Sequence, residues 1–371
     1  MMFPEISTKK LLPGLACLML ATGCSNNNDS NDGGSNANKS ADDYLVDLAH
    51  PTKGIGARVA GTESERKAEA YLLAELKSLG YAPSAQAFTY KDRDNNEFNS
   101  SNVIFEKAGS NADKVLVLGA HYDTAGEDLG STGATDNGTG VSTLLDVAKR
   151  IKDKTLPYTL RFVFFGAEEK GLHGSNYYVS QLSVDDLSKI VGMVNYDTVA
   201  GGDYLYVHSA DSATPYECSG DNSSYAAGDT VRKGMLNASI ALDGDNDFLI
   251  HPSVDGGYQA GETGDWSDHV AFACRGIPIA YVEATNFDID GKYGKDGYSQ
   301  TVNPQFWTCF DEATVGACDK DAEVKWGEIW HTGSDRIDAM ESAFPGRVSS
   351  QMEQAVKATV EFVSFADYYL P

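Results

Sequence analysis

Val115-Leu-Val-Leu-Gly-Ala-His-Tyr-Asp-Thr124, continued through Ala134-Thr-Asp-Asn-Gly-Thr-Gly140, is the stretch whose reading decides the fold. Its first half is an apolar run of strand length that ends in His121, with Asp123 two residues on. A loop rich in glycine follows. Asp136-Asn137-Gly138 then opens a helix on which Val141, Leu144, Leu145 and Ala148 recur at helical spacing. Strand, loop and helix in that order carry a histidine and a carboxylate to the C-terminal edge of a sheet, where open α/β sheets bind ligands. Taken singly, His121 reads as a surface histidine and Asp136 as a helix cap; the remaining strand ends weigh against that.

The alternation extends outward on both sides. Upstream, Thr62-x-x-Glu65 spells a capping box ahead of a helical run that ends at Leu79-Gly80, where glycine suits the position after the helix. Strands are predicted over residues 85–90 and 102–106, separated by the turn-rich 92–96. Downstream, the β-rich run 159–165 ends in Gly166-Ala-Glu-Glu169, and the run 190–196 ends in Asp197. A helix near 226–242, a strand at 279–284, a long irregular insertion over 291–321 and a closing amphipathic helix over 348–368 complete the pattern. Strand alternating with helix, without a repeat period, is the signature of the α/β class.

A chain of 371 residues can bury a large core, and its 37 glycines suit a protein with many loops. The formal net charge of −25 argues against nucleic acid, whose phosphates call for Lys and Arg; it would weakly favour cationic peptides. Residues 1–23 read as an export signal, with Lys9-Lys10, an apolar run over 11–21, and small residues. Leu20-Ala-Thr-Gly-Cys24 resembles a bacterial lipobox, which implies cleavage before Cys24 and lipid on its thiol; an ordinary secretory cleavage site is the alternative. Residues 24–40 are dominated by Ser, Asn, Asp and Gly, a flexible tether, and the folded domain is predicted over 41–371. Such a protein would be anchored to a membrane by lipid alone, facing the periplasm or the cell exterior. Cys218, Cys274, Cys309 and Cys318 remain for disulfides in that oxidising setting; of three pairings, Cys309–Cys318 with Cys218–Cys274 is preferred.

The strand ends together present His121 with Asp123, Glu168-Glu169, Asp197 and, past the insertion, His331, with Asp136 at its helix start. Two imidazoles with several carboxylates and no thiolate suit zinc, or manganese or cobalt in its place, better than copper(I) or an iron–sulfur cluster. A carboxylate can bridge two cations, and two metals about 3.5–4 Å apart lower the pKa of a shared water toward neutrality. An unligated acid beside a ligating one supplies a base for that water, and Glu168-Glu169 offers such a pair.

Ala120-His-Tyr-Asp123, Ala134-Thr-Asp-Asn-Gly138, Gly166-Ala-Glu-Glu169, Asn195-Tyr-Asp197 and Trp330-His331, in that order, resemble the co-catalytic di-zinc aminopeptidase family, from about Ile55 to the C-terminus. The resemblance implies a three-layer α/β/α sandwich with a mixed, largely parallel central sheet. It implies two zinc ions per chain, His121 and Asp197 on one, Glu169 and His331 on the other, and Asp136 bridging. It makes Glu168 the general base, Asp123 the partner that orients His121, and the Asp136–Asn137 peptide cis. Val282-Glu-Ala-Thr-Asn286, Lys295-Asp-Gly-Tyr298 and Phe344-Pro-Gly-Arg347 look most like a branch of exported enzymes that trim N-terminal arginine.

The expected function is therefore an exported, monomeric metallo-aminopeptidase acting on peptides, basic N-terminal residues among them, through a metal-bound hydroxide. His269, in Ser267-Asp-His269, is a candidate for steadying the oxyanion, with a structural histidine as the alternative reading. Glu283 is a candidate for recognising a positive side chain or the α-ammonium, against a buried ion pair or loop acid. Asp243-Gly-Asp-Asn-Asp247 lacks the glycine and distal glutamate of an EF-hand loop and reads as an acidic turn. The rival functions are a glutaminyl cyclase, which shares the fold but uses one zinc, and a non-catalytic surface binding domain.

Overall fold

The computed structural model describes residues 39–218, 224–242, 244, 247–254 and 257–370. The export segment, Cys24, all but the last two residues of the tether and most of the acidic turn 243–247 lie outside them. Those last two residues belong to the fold. The Lys39 ammonium pairs with Asp47 at 2.7 Å and Glu75 at 2.8 Å, and Ser40 caps the first helix with a capping box to Asp43.

Helices α1 (Ala41–Ala49) and α2 (Glu63–Ser78) precede strands β1 (Ser84–Lys91), β2 (Glu97–Lys107) and β3 (Asn111–His121). Next come α3 (Thr139–Ile151), β4 (Tyr158–Phe165), α4 (His173–Ser180), α5 (Val184–Lys189), β5 (Ile190–Tyr196) and β6 (Tyr204–Ala210). They are followed by α6 (Thr230–Ile240), β7 (Glu262–Thr263), α7 (His269–Ala273) and β8 (Ile279–Thr285). The short pair β9 (Phe310–Asp311) and β10 (Gly316–Ala317), then α8 (Ile337–Ala343), α9 (Arg347–Ser364) and α10 (Ala366–Tyr369), complete the chain.

Eight strands form one mixed sheet in the order β1-β2-β4-β3-β5-β8-β6-β7. Its inner four, β4-β3-β5-β8, are mutually parallel, and β2 and β6 flank them antiparallel. The apolar run on β3 is buried on both faces, as strands inside a parallel sheet are. Leu116, Leu118 and Ala120 pack into the core shared with α1, α2, α3, α6 and α9, while Val115 and Val117 face the opposite core, to which α4 and α7 contribute. Sheet between two helical layers gives the α/β/α sandwich. Register sets the strand ends level: His121 pairs with Phe165, Gly119 with Asn195, and Tyr196 with Val282. The loops bearing His121, Glu168-Glu169 and Asp197 therefore leave the sheet side by side.

Three local readings are corrected. Thr62 does precede α2, but the capping box does not form: the Thr62 hydroxyl donates to the Val59 carbonyl. The Glu65 carboxylate is drawn inward to the Gly61 N–H at 2.6 Å and the Ser100 hydroxyl at 2.5 Å. Strand β6, which the pattern did not announce, shows no clear alternation yet is almost wholly buried, because Leu205 and Val207 pack into one core and Ala210 into the other. The insertion is ordered by devices that carry no periodicity. Ile289, Phe306, Trp307, Ile329, Met340 and Phe344 form their own small core, and a disulfide joins Cys309 to Cys318. The buried Asp203 carboxylate takes hydrogen bonds from Thr301, Val302 N–H and Asn286 and pairs with Arg347 at 3.0 Å. A second disulfide joins Cys218 to Cys274.

Candidate metal centre

Five segments meet over the C-terminal edge of the parallel strands. His121 is the last residue of β3, and Asp197 follows β5. Glu168 and Glu169 lie on the turn after β4, and Asp136 lies on the tight turn Ala134–Gly138 that leads into α3, with a cis bond to Asn137. His331 lies between the insertion and α8. Three non-glycine residues in left-handed conformation adjoin or are ligand candidates: Ala167 (φ 54°), Thr198 (φ 53°) and His331 (φ 55°). Such conformations persist only where the surroundings over-determine them, and they gather at functional sites.

The two oxygens of Asp136 face different imidazoles. Oδ1 lies 3.2 Å from Nε2 of His121, and Oδ2 lies 3.0 Å from Nε2 of His331. Nε2 of His121 is also 3.1 Å from Oδ1 of Asp197, and Nε2 of His331 is 3.0 Å from Oε2 of Glu169. Tetrahedral zinc with bonds of about 2.0–2.1 Å holds neighbouring ligand atoms roughly 3.3 Å apart, so these separations match the edges of two coordination polyhedra sharing one carboxylate. Ligand atoms of His121, Glu168 and Asp197, and of His121, Asp136 and Glu169, likewise lie within 4.8 Å of one another. The donor set fits zinc.

Polar groups around the ligand candidates hold them in place, and most were not legible in the motifs. Asp123 is fully buried and accepts the backbone N–H of Glu168 at 3.0 Å and of Glu169 at 3.1 Å. Its Oδ1 stands 3.6 Å from Nδ1 of His121, too long for a hydrogen bond, and among the described residues that nitrogen has no other hydrogen-bond partner. Asp123 thus fixes the Glu168-Glu169 turn more firmly than it fixes His121. The Asn137 amide donates to the Tyr196 carbonyl at 2.7 Å and accepts from the Thr198 N–H at 3.3 Å, clasping the residues on either side of Asp197. Ser267 donates to Oδ2 of Asp197 at 2.7 Å and accepts from Asn195. The other two candidates lie in the wall. His269 is wholly buried, with Nε2 against the Gly264 carbonyl at 2.9 Å, and burial lowers its pKa to about 4. Glu283, on β8, has Oε1 2.9 Å from Nε2 of His208, and burial, with Asp197 adding, lifts its pKa to about 8.

The centre carries an excess of negative charge. Burial lifts Glu169 to about 7, with the Asp136 charge adding to it, and lifts Glu168 well above the usual glutamate range. Asp268, unforeseen and fully buried, is raised to about 7 by the same loss of solvent. At Asp136 burial also works upward, but the His121 and His331 imidazoles override it and hold the carboxyl well below its usual range. Burial acts to lower His331, yet Asp136 and Glu169 push it up to about 12. A pocket that must borrow protons to offset its own acids is one that divalent cations would neutralise.

Residues 102–356, more than half of the chain, match Peptidase family M28. The chain belongs to that family. M28 membership makes it a hydrolase of the peptidase class, and its donor set suits zinc. Among its relatives is the Escherichia coli alkaline phosphatase isozyme conversion protein, 25% identical over 82% of this chain and 85% of its own length. Among solved structures, a zinc aminopeptidase from Bacillus subtilis superposes with a TM-score of 0.60 at 18% identity, covering 88% of this chain and 95% of that one. A Porphyromonas gingivalis glutaminyl cyclase gives 0.59 at 20% identity, covering 87% and 97%. At those identities the two structures show the shared fold and no more.

Gly126 supplies a test of how the M28 centre is held. It has φ +74°, and a Cβ there would sit 2.4–2.6 Å from the backbone of His331. Gly126→Ala should push His331 off its neighbours and lower the zinc retained after gel filtration. Wild-type zinc content would show that the His331 loop is not held by this contact.

Proposed function

We propose that the protein is an exported aminopeptidase that releases the N-terminal residue of peptides, basic residues included, at a di-zinc centre. The observation that carries the reading is the division of Asp136 between His121 and His331. His121 and Asp197 would hold one ion, Glu169 and His331 the other, and Asp136 both. Bound there, zinc would supply a Lewis acid for the scissile carbonyl and a water of lowered pKa.

The chain's own residues supply the rest. Glu168 sits beside Glu169 with its N–H held by Asp123, so its carboxylate is oriented without being spent on that contact. It takes the proton of the attacking water and passes it to the leaving amine, so that one water is consumed and two shorter products leave. Asp123, through both Glu168 and Glu169, keeps the base and a ligand in fixed register. The aminopeptidase assignment draws on the M28 relatives and on the B. subtilis zinc aminopeptidase fold. The glutaminyl cyclase fold supports the rival reaction. Against it stands the completeness of both halves of the centre, His121 with Asp197 as well as Glu169 with His331.

The basic preference rests on the acidic pocket and on Glu283. An entering guanidinium would favour the ionised carboxylate and draw off the proton that burial favours. Export is supported by the signal-like residues 1–23, by the lipobox at Cys24, and by two disulfides suited to an oxidising compartment. Among the described residues no helix is long and apolar enough to cross a membrane.

Release of p-nitroaniline from Arg- and Leu-p-nitroanilide should vanish with a chelator and return with zinc, while a peptide with N-terminal Gln is not cyclised. Cyclisation without amide hydrolysis would reverse the assignment. Glu168→Gln should lower kcat about 10²–10⁴-fold while zinc is retained; near-normal turnover would remove Glu168 as the base. The arginyl-to-leucyl ratio of kcat/KM should climb as pH rises through about 8, where Glu283 ionises, and Glu283→Gln should flatten it. A flat wild-type profile would discard Glu283 as the selector. Cys24→Ser should move the protein from the membrane to the soluble fraction, and unchanged membrane recovery would count against the anchor.

A further inference from the structure

Arg58 lies within the domain wholly buried, and no carboxylate pairs with it among the described residues. Its guanidinium spends its donors on backbone carbonyls instead. Nε donates to Tyr122 O at 2.8 Å, Nη1 to Gly56 O at 2.9 Å and Thr132 O at 3.0 Å, and Nη2 to Gly133 O at 2.8 Å. Its backbone N–H donates to the Thr124 hydroxyl at 2.8 Å. One side chain thereby joins two stretches of the centre: the residues just after ligand candidate His121, and the residues just before Asp136. The fit is close, since a Cβ on Gly133 would meet Thr124 Cγ2 at 2.0 Å and Arg58 Nη2 at 2.9 Å.

The same loop is gripped from its other side by a buried acid. Asp335 accepts the Thr135 N–H at 2.5 Å, the Thr135 hydroxyl at 2.8 Å and the Ser131 hydroxyl at 3.0 Å, and its carbonyl accepts the Thr132 N–H at 3.0 Å. Asp335 is four residues after His331, so this grip ties the C-terminal ligand candidate to the loop that delivers Asp136. Cation and anion do not meet; the segment 131–135 runs between them.

We propose that Arg58 is a positioning residue: with Asp335 as its counterpart, it sets the loop that presents the two oxygens of Asp136, and so sets the affinity of the centre for its ions. A planar fork is needed because five carbonyls, that of Leu48 at 3.4 Å among them, converge from different directions, and an ammonium with three donors on one atom cannot serve them all. The inference rests on the di-zinc reading, and it differs from a purely electrostatic role in sign. A nearby cation repels divalent ions, so removing its charge alone would tighten zinc binding, whereas loosening the loop would weaken it.

The test is zinc affinity of the metal-stripped full chain, by competition with a chromophoric chelator. Arg58→Lys, Arg58→Gln and Asp335→Asn should each raise the dissociation constant of the weaker zinc about 10–100-fold. Tyr81→Phe, which loses a hydrogen bond to Ala148 O far from the loop, should leave it unchanged at comparable loss of melting temperature. Unchanged affinity in Arg58→Lys, tighter binding in Arg58→Gln, or equal weakening in the Tyr81 control would overturn the proposal. Should the Arg58 variants fail to fold, Thr135→Val, which removes the hydroxyl bond to Asp335 without changing charge, decides with Asp335→Asn, and wild-type affinity in it refutes the proposal. A wild-type chain that takes up no zinc removes the di-zinc reading itself, an outcome distinct from two zinc ions held equally well by wild type and variants.

Discussion

Asp123, Asp136, Glu168, Asp197 and Asp268 are all buried in one pocket, with Glu169 at its rim and two imidazoles among them. Ionised carboxylates do not gather out of water unless something offsets both their mutual repulsion and their loss of solvation. Here the offset comes in three forms. Backbone N–H groups and hydroxyls take some of the lone pairs, as at Asp123 and Asp197. Burial lifts the pKa values of Glu168 and Glu169, which lessens the charge the pocket has to carry when no cation is bound. The imidazoles face the oxygens that remain. Only the last arrangement leaves lone pairs of different residues aimed at common points, and that convergence separates a cation site from a merely satisfied acidic cluster.

The sheet makes this convergence inexpensive. Each ligand candidate comes from its own segment, but register places the ends of β3, β4 and β5 level, so short loops suffice to bring them together. The cost falls on the backbone of those loops, where Ala167, Thr198 and His331 adopt left-handed conformations. What sustains them is a ring of buried polar contacts one layer out: Asp123 on the Glu168-Glu169 turn, Asn137 around Asp197, Arg58 and Asp335 on the approach to Asp136. The placement of the ligand candidates rests on this second ring of contacts.

That division explains what could be read from the chain before its fold was known. The strand over 115–121 and the helix after it were legible because one carries an unbroken apolar run and the other apolar residues at helical spacing. His121, Asp136, Glu169 and Asp197 were legible because each lies at or just past a strand end or opens a helix, and His331 only because Trp330-His331 falls in order after them. Strand β6 was not, since it is buried on both faces and its own sequence does not alternate in a telling way. Nor was the order of the insertion, which depends on Asp203 reaching Thr301 and Arg347 across 98 and 144 residues. Arg58 and Ser267 escaped for the same reason: their partners are distant carbonyls and carboxylates, and no local spacing encodes them. Thr62-x-x-Glu65 shows the converse, a local signal overruled because Ser100 offered Glu65 a buried partner.

Glu283 illustrates how far such a reading extends toward specificity. On sequence it is an acid beside the strand end, free to meet a cation. In the fold it stands 2.9 Å from the His208 imidazole, whose own pKa burial depresses to about 3, so neither group carries its charge readily at neutral pH. A neutral acid beside a neutral imidazole discriminates weakly until a ligand supplies the missing charge. A positive side chain would do so by drawing off the Glu283 proton, and an uncharged one would leave the pair as it is. Selectivity of this kind is conditional on pH in a way that a solvated carboxylate, ionised throughout the physiological range, is not. Under the proposed function, Glu283 would make a preference for a basic residue a titratable property, set in the wall beside the ligand candidates and coupled to them through Asp197.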